Sequence, residues 1–291
     1  MDQRIINLYD HFTHGYMSRR DFLDQLTKLA GSAAAAAALL PLLQNNYAQA
    51  AIVAADDARL ATERVSYDSP KGKINGYLAR AAAKGKRPAV IMIHENRGLN
   101  PHIQDVARRL ALEGFLVLAP DLLSLVGGTP PTDDEARDLH PKMNREDAIA
   151  ASVAAVSFMQ KHAESTGKVG AVGFCFGGGV INRMATDSPD LVAAVPYYGG
   201  QPPADKVPAI RAALLLHYAG IDDNTNKGIE AYEAALKAND KKYTLHSYPG
   251  AQHSFNNDTS AARYHKEAAD LAWGRTVAFF KEQLGAPPRA T

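Results

Sequence analysis

The chain has one cysteine, and it stands in "VGFCFGGG", residues 172–179, between two glycines with more glycine behind it. A cysteine serving only as a small hydrophobe needs no such neighbours. In Gly173-Phe174-Cys175-Phe176-Gly177 an apolar strand ending at Val172 runs straight into a helix beginning near Phe176, leaving Cys175 at the apex. This is the G-x-S-x-G nucleophile elbow with sulfur in place of oxygen. The turn exposes the nucleophile and aims the first N–H groups of the helix, here that of Phe176, at whatever is attacked. Two plainer readings compete. A lone cysteine in an apolar run is usually inert, and glycines after a strand can cradle phosphate. The phosphate reading fails on spacing, because neither G-x-G-x-x-G nor the Walker lysine is present.

An elbow needs an acid and then a histidine downstream, in that order. "YAGIDDN" offers Asp222 and Asp223 after one apolar run, and "YPGAQHSF" offers His253 after the next. In this chemistry the imidazole takes the thiol proton and later protonates the leaving group, while the carboxylate sets the imidazole tautomer. Asp222, nearer the strand end, is the first choice and Asp223 the second. His162, His217, His246 and His265 fall inside strand or helix patterns, where packing or solvation explains them.

These residues need a scaffold that brings them together. Short apolar runs at 87–95, 114–122, 167–174, 191–199 and 211–220 read as strands buried on both faces of a parallel sheet. Stretches 101–113, 144–162, 228–240 and 262–284 have helical spacing, and "TERVSYDSP" with "KINGYLAR" reads as an antiparallel pair feeding the sheet. The alternation predicts an α/β fold with a mostly parallel central sheet and helices on both faces. Ligand sites in such sheets lie beyond the carboxyl ends of the strands, where Glu95, Asn96, Asp121, Cys175, Asp222 and His253 all fall. Residues 124–141, rich in Gly and Pro, are long enough to form a lid or pocket wall.

"GFCFGGG", "AGIDD", "PGAQHSF" and the upstream "HENRGL" together resemble the dienelactone hydrolase (carboxymethylenebutenolidase) family of α/β hydrolases, from about residue 60 to the C-terminus. The resemblance implies a triad of Cys175, Asp222 and His253, with Glu95 beside the resting thiol and helping to form the thiolate. It implies oxyanion donors at the backbone N–H groups of Asn96 and Phe176. Family members that open dienelactone hold its carboxylate with arginines, but Leu125 and Asn257 stand where those would fall. Loss of both removes bidentate binding of an anion, so a neutral or differently shaped ester or lactone is expected. Arg97 and Arg263 are the candidate substitutes. Phe174, Phe176, Tyr197, Tyr198 and Phe255 are candidates for an apolar pocket wall, with core packing the plainer account. The expected activity is hydrolysis of a small ester or lactone through an S-acyl intermediate. The alternative is a non-catalytic or redox-sensing thiol on the same scaffold.

Composition agrees with a small-molecule enzyme. The chain of 291 residues is 46% hydrophobic and 22% charged, with a net charge of +1, which gives no electrostatic case for nucleic acid or an anionic membrane. One cysteine excludes an internal disulfide and a cysteine-rich metal site, and no ligand cluster implies a metal or organic cofactor. A homodimer is left open. Residues 1–50 differ in kind. "SRRDFLDQL" precedes an apolar stretch from Leu29 to Leu43, and "YAQA" closes it with small residues at Ala48 and Ala50. That pattern is a twin-arginine export signal and implies a periplasmic protein, the body being one domain over residues 51–291. The apolar stretch is too short for a stable membrane span. The alternative is a cytoplasmic protein whose N-terminal helical arm, with Ile5, Ile6, Leu8, Tyr9 and Phe12, is retained and packs on the body.

Overall fold

A computed structural model describes residues 1–47 and 51–286. The Ala48–Ala50 end of the candidate signal lies outside the described residues. Eight strands form one sheet: β1 (Leu60–Ser69), β2 (Gly72–Ala81), β3 (Arg87–Ile93), β4 (Leu116–Asp121), β5 (Ser165–Phe174), β6 (Ala193–Tyr197), β7 (Ala213–Ile221) and β8 (Tyr243–Gln252). Their spatial order is β1-β2-β4-β3-β5-β6-β7-β8. The β1–β2 and β2–β4 pairs are antiparallel and every other pair is parallel. The chain is therefore an α/β fold with a mostly parallel central sheet, as the alternation of short apolar runs and helical stretches predicted.

Three helices open the chain: α1 (Gln3–Thr13), α2 (Arg19–Ala30) and α3 (Ala33–Leu43). In the body follow α4 (Pro101–Leu112), α5 (Asp133–Leu139), α6 (Arg145–Lys161), α7 (Phe176–Asp187), the one-turn α8 (Asp223–Asn226), α9 (Ile229–Ala238) and α10 (Lys266–Leu284). Every residue of β3 is buried, and alternate side chains divide between two cores. Ala89, Ile91 and Ile93 join the core beneath α6, α7 and α9, while Val90 and Met92 join the core beneath α4 and α10. This two-residue period in a continuous apolar run is what a parallel strand covered on both faces requires. Gly170 of β5 lets α10 approach, since a Cβ there would lie 2.8 Å from the ring of Phe280.

Residues 124–141 are less irregular than their composition suggests. A 3-10 turn at Leu122–Val126 leads to α5, whose N-terminus carries a capping box between Thr132 and Glu135. Asp121 pins this segment, accepting from the Leu123 and Thr129 backbone N–H groups and from the Thr129 hydroxyl. Its place beyond β4 is thus structural.

The first 43 residues lie against the body. Ile5, Leu8, Tyr9, Phe12, Phe22, Leu26, Ala36 and Leu43 form a third small core of their own, and Arg137 of α5 stacks on the Phe12 ring at 4.2 Å. Ser18 caps α2, so the paired arginines Arg19 and Arg20 occupy its first turn, and Arg19 ion-pairs with Asp134. Among the described residues no single helix is long and apolar enough to cross a membrane. Helices α2 and α3 reach that length together but are bent by 112°.

Phe280 is fully buried on Phe115 and Gly170. Phe280→Ala is expected to lower unfolding free energy by about 3–5 kcal/mol, read as a lower urea midpoint with an unchanged slope.

Candidate active site

Strand β5 ends at Phe174 and α7 begins at Phe176, so a single residue turns the chain. That residue is Cys175, with φ 55° and ψ −115°, a conformation L-residues rarely adopt. The glycines make it affordable in space. A Cβ on Gly173 would lie 2.5 Å from the Gly177 carbonyl oxygen, and one on Gly177 would lie 2.6 Å from that of His94. The Cys175 N–H donates to the Tyr197 carbonyl at 3.1 Å, which ties the turn to the end of β6. Cys175 is 9% exposed and stands at the N-terminal end of α7, where aligned peptide dipoles favour the thiolate.

Asp222 follows β7 and His253 follows β8. His253 Nδ1 lies 2.6 Å from Asp222 Oδ2, and Asp222 Oδ1 accepts from the Thr225 N–H at 3.2 Å. The carboxylate therefore holds Nδ1–H and turns Nε2 away from itself. Nε2 is buried and makes no hydrogen bond within the protein. Asp223 begins α8, exposed, and makes no contact with the ring.

Sulfur meets a second imidazole that the sequence reading passed over. His14, just past the end of α1, places Nε2 3.3 Å from Cys175 Sγ. Its Nδ1 lies 2.7 Å from the Asp10 carbonyl oxygen and 3.5 Å from the Asp10 carboxylate. The two histidine rings meet edge to face at 5.1 Å. A signal was available, since Asp10 and His14 are four apart and share one face of α1, away from the apolar residues. Reading the segment as a leader hid it. Sγ and one ring nitrogen from each histidine lie within 4.8 Å of one another, the one group among the described residues with metal-ligating side chains so placed. Asp222 and Asp10 stand behind the two rings, one carboxylate to each.

Burial pushes the Cys175 thiol up, but the His253 and His14 imidazoles beside it overrule burial and bring it down to about 6. Burial pulls His253 down, yet the neighbouring sulfur and the Asp222 hydrogen bond raise it well above the ordinary imidazole value.

The remaining expected residues are placed unevenly. Glu95 is buried in a small cavity it shares with Cys175 and His14, but its Oε2 accepts from Asn257 at 2.8 Å, and the hydrogen-bonding partner of sulfur is His14. Asn96, after β3, and Phe176, at the start of α7, both line the cavity that holds Cys175. The Asn96 side chain donates to the Thr13 carbonyl of the arm at 2.6 Å. Arg97 is buried without a carboxylate partner and faces the clefts between arm and body. Arg263 is committed to the arm, 3.4 Å from Asp10 and over the Tyr9 ring. Tyr198 lines the cavity, its ring 5.1 Å from that of His253. Phe255 corrects the expectation of a pocket wall: it is fully buried against Tyr197, Tyr198 and Tyr248 and lines no described cavity. Phe174 is likewise core, packed on Tyr197, because side chains on β5 alternate into the two cores. His217 is held by Tyr248 and Thr276 inside the sheet, a structural role.

The cavity above Cys175 measures about 380 Å³. Asp10, His14 and Tyr16 of the arm form one wall, His140 and Arg145 another, and Lys227 stands at its edge. It suits a small molecule.

Comparison with known proteins matches this architecture. The profile of the dienelactone hydrolase family matches residues 74–284, and a separate YqhI-like profile matches residues 1–31. A protein of Saccharolobus solfataricus described as a candidate carboxymethylenebutenolidase is 30% identical over 75% of this chain and 98% of its own length. Protein usf of Aquifex pyrophilus is 35% identical over 76% of this chain and 99% of its own. A crystal structure from Klebsiella pneumoniae, described as a candidate dienelactone hydrolase, superposes with a TM-score of 0.68 at 30% identity, covering 77% of this chain and 99% of that one.

A methyl group at position 177 would run into the backbone of Ile93 and His94. Gly177→Ala is therefore expected to abolish thiol reactivity and to cost at least about 1–3 kcal/mol of stability, measured as alkylation rate and melting temperature on one preparation.

Proposed function

This chain belongs to the dienelactone hydrolase family, hydrolases of esters and lactones, and from that premise we propose that Cys175 is its nucleophile and forms an S-acyl intermediate. The observation that carries the reading is the His253–Asp222 pair, bonded at 2.6 Å, standing beside a thiol held on a left-handed turn. The thiolate attacks the substrate carbonyl, and the backbone N–H groups of Asn96 and Phe176 receive the developing oxyanion. The His253 imidazolium gives its proton to the departing oxygen, then takes one from the water that cleaves the thioester. Asp222 keeps Nδ1 protonated throughout and stabilises the charged ring.

Neutral or weakly charged substrates fit this cavity better than dienelactone. Leu125 packs against the core and Asn257 is spent on Glu95, so neither position offers a guanidinium. The cations that reach the cavity, Arg145 and Lys227, sit exposed on its rim, where water screens them.

Pre-steady-state hydrolysis of 4-nitrophenyl acetate tests the reading. The unmodified protein should release a burst of product near one equivalent, and Cys175→Ala should show none. His253→Ala should lose turnover as fully as Cys175→Ala, and Asp222→Asn should lose on the order of 10²- to 10⁴-fold. A thiol sensor would depend on Cys175 and be indifferent to His253.

The lowered thiol fixes the sign of the pH response. Alkylation of Cys175 by iodoacetamide should already be near its plateau at pH 7 and fall away as pH drops through about 6. An unassisted thiol would show its inflection near about 8.5.

A further inference from the structure

We propose that His14 is a second catalytic imidazole of the Cys175 site, held by Asp10, and that the N-terminal arm is a working part of that site. The proposal rests on the thiol-hydrolase reading above. Its first ground is symmetry of function around one sulfur. His253 is backed by Asp222 at 2.6 Å, and His14 is backed by Asp10 through the backbone carbonyl at 2.7 Å and the carboxylate at 3.5 Å. Both arrangements keep Nδ1 as the donor and leave Nε2 for another partner, and for His14 that partner is sulfur at 3.3 Å.

The second ground is that the arm is anchored by residues of the site itself. Asn96, one of the proposed oxyanion donors, gives its side-chain amide to Thr13, the residue before His14. Arg263 reaches Asp10, and Gln252, the residue before His253, accepts from Gln3 at 3.1 Å. Behind these polar ties Tyr9, Phe12 and Phe22 stack on one another, which fixes the register of α1 over the site. The third ground is that the arm walls the cavity without filling it. About 380 Å³ remains above sulfur with Asp10, His14 and Tyr16 in place. A plug would leave no such room.

The chemistry needs no added reagent. In the resting protein the thiol proton passes to His14, giving a thiolate and an imidazolium in contact. The sulfur–carbon bond forms as the carbonyl electrons move to oxygen. When the tetrahedral adduct collapses, the carbon–oxygen bond breaks and His253 supplies the proton the leaving oxygen needs. Once sulfur is acylated it carries no charge, and His14 loses the anion that kept it protonated. His14 gives that proton to solvent; water, deprotonated by His253, then breaks the sulfur–carbon bond, and the returning thiolate draws a solvent proton back onto His14. This is the role the family resemblance gives to Glu95, whose carboxylate is here turned to Asn257.

The charged groups facing His14 decide how far it holds its proton. Asp10 on its own helix and the sulfur across from it raise it, while burial and His253 oppose them. Glu95 and Arg97 from the loop after β3, Arg263 from the segment before α10, and Asp222 behind His253 complete the surround. His140 and Arg145 face it across the cavity.

The test compares His14→Gln and His14→Ala with the unmodified full chain. With His14→Gln, which keeps size and a hydrogen-bond donor but cannot carry charge, the iodoacetamide inflection should rise by at least about one pH unit. Turnover of 4-nitrophenyl acetate at pH 7 should fall about two- to tenfold, in step with the lost thiolate, and recover to within about twofold at pH 9, where the thiol ionises unaided. Added imidazole should restore part of the loss in His14→Ala. His253→Ala should lose turnover at every pH, which separates the two rings. An unmoved inflection with undiminished turnover in His14→Gln would overturn the proposal, and so would equal or greater activity in a chain lacking residues 1–50. Recovery of a fully active chain beginning at residue 51 from the native host would overturn it as well. If the unmodified protein shows no burst, the hydrolase reading fails by itself, and the alkylation profiles still decide whether His14 governs the thiol.

Discussion

A backbone turn at one residue organises this molecule. Cys175 takes a left-handed conformation between a buried strand and a helix, and that is tolerable only because its neighbours have no side chains to place. Gly173 and Gly177 face each other across the turn, and Gly178 lies against Gly199 and the Tyr197 carbonyl at the end of β6. The close approach of α7 to the sheet puts the positive end of that helix directly under the sulfur. Strained backbone and helix dipole at the sulfur thus share one cause. The core on either side of β5 supplies the rigidity that keeps the turn from relaxing.

Around this turn the electrostatics follow from burial. A thiol 9% exposed would ordinarily hold its proton, yet here two imidazoles crowd it and outweigh the cost of burying charge. Each imidazole needs a carboxylate to carry its own charge, and each has one. The sites of those carboxylates are set by elements far apart in the chain: Asp222 by the end of β7 and Asp10 by the last turn of α1. The expected helper, Glu95, is near but engaged with Asn257. The arm instead brings the imidazole of His14 to the sulfur.

The arm matters to both halves of this account. Its three helices bury a small aromatic and aliphatic core that closes on α5 and on the loop before α10. The paired arginines behind the expectation of an export signal begin α2, and one of them is in an ion pair with Asp134. Sequence pattern alone cannot distinguish a leader from a docked arm, because both are short, apolar and helical. What separates them is a partner surface, and that exists only in the folded chain.

Much of the fold was legible beforehand, and for a physical reason. Buried parallel strands must be short and apolar, and amphipathic helices must repeat near 3.6, so the alternation of the two declared the sheet and its covering helices. The elbow was legible because its glycines are forced by local crowding, and Asp222 and His253 because loops after strands converge at one end of a parallel sheet. The residues misjudged were those whose role depends on distant neighbours. Phe255 looked like a pocket wall from its place beside His253, but packing against three tyrosines turned it inward. Asp10 and His14 carry no motif, lie more than 150 residues from the sulfur they face, and were hidden in a segment with a leader's composition. By itself the sequence determined the sheet, the tight turn and the order of cysteine, aspartate and histidine along strand ends, since these follow from local sterics and periodicity. The tertiary structure alone decided which carboxylate stands free, which ring lines the cavity and what covers the thiol, since those depend on surfaces that meet only when the chain has folded.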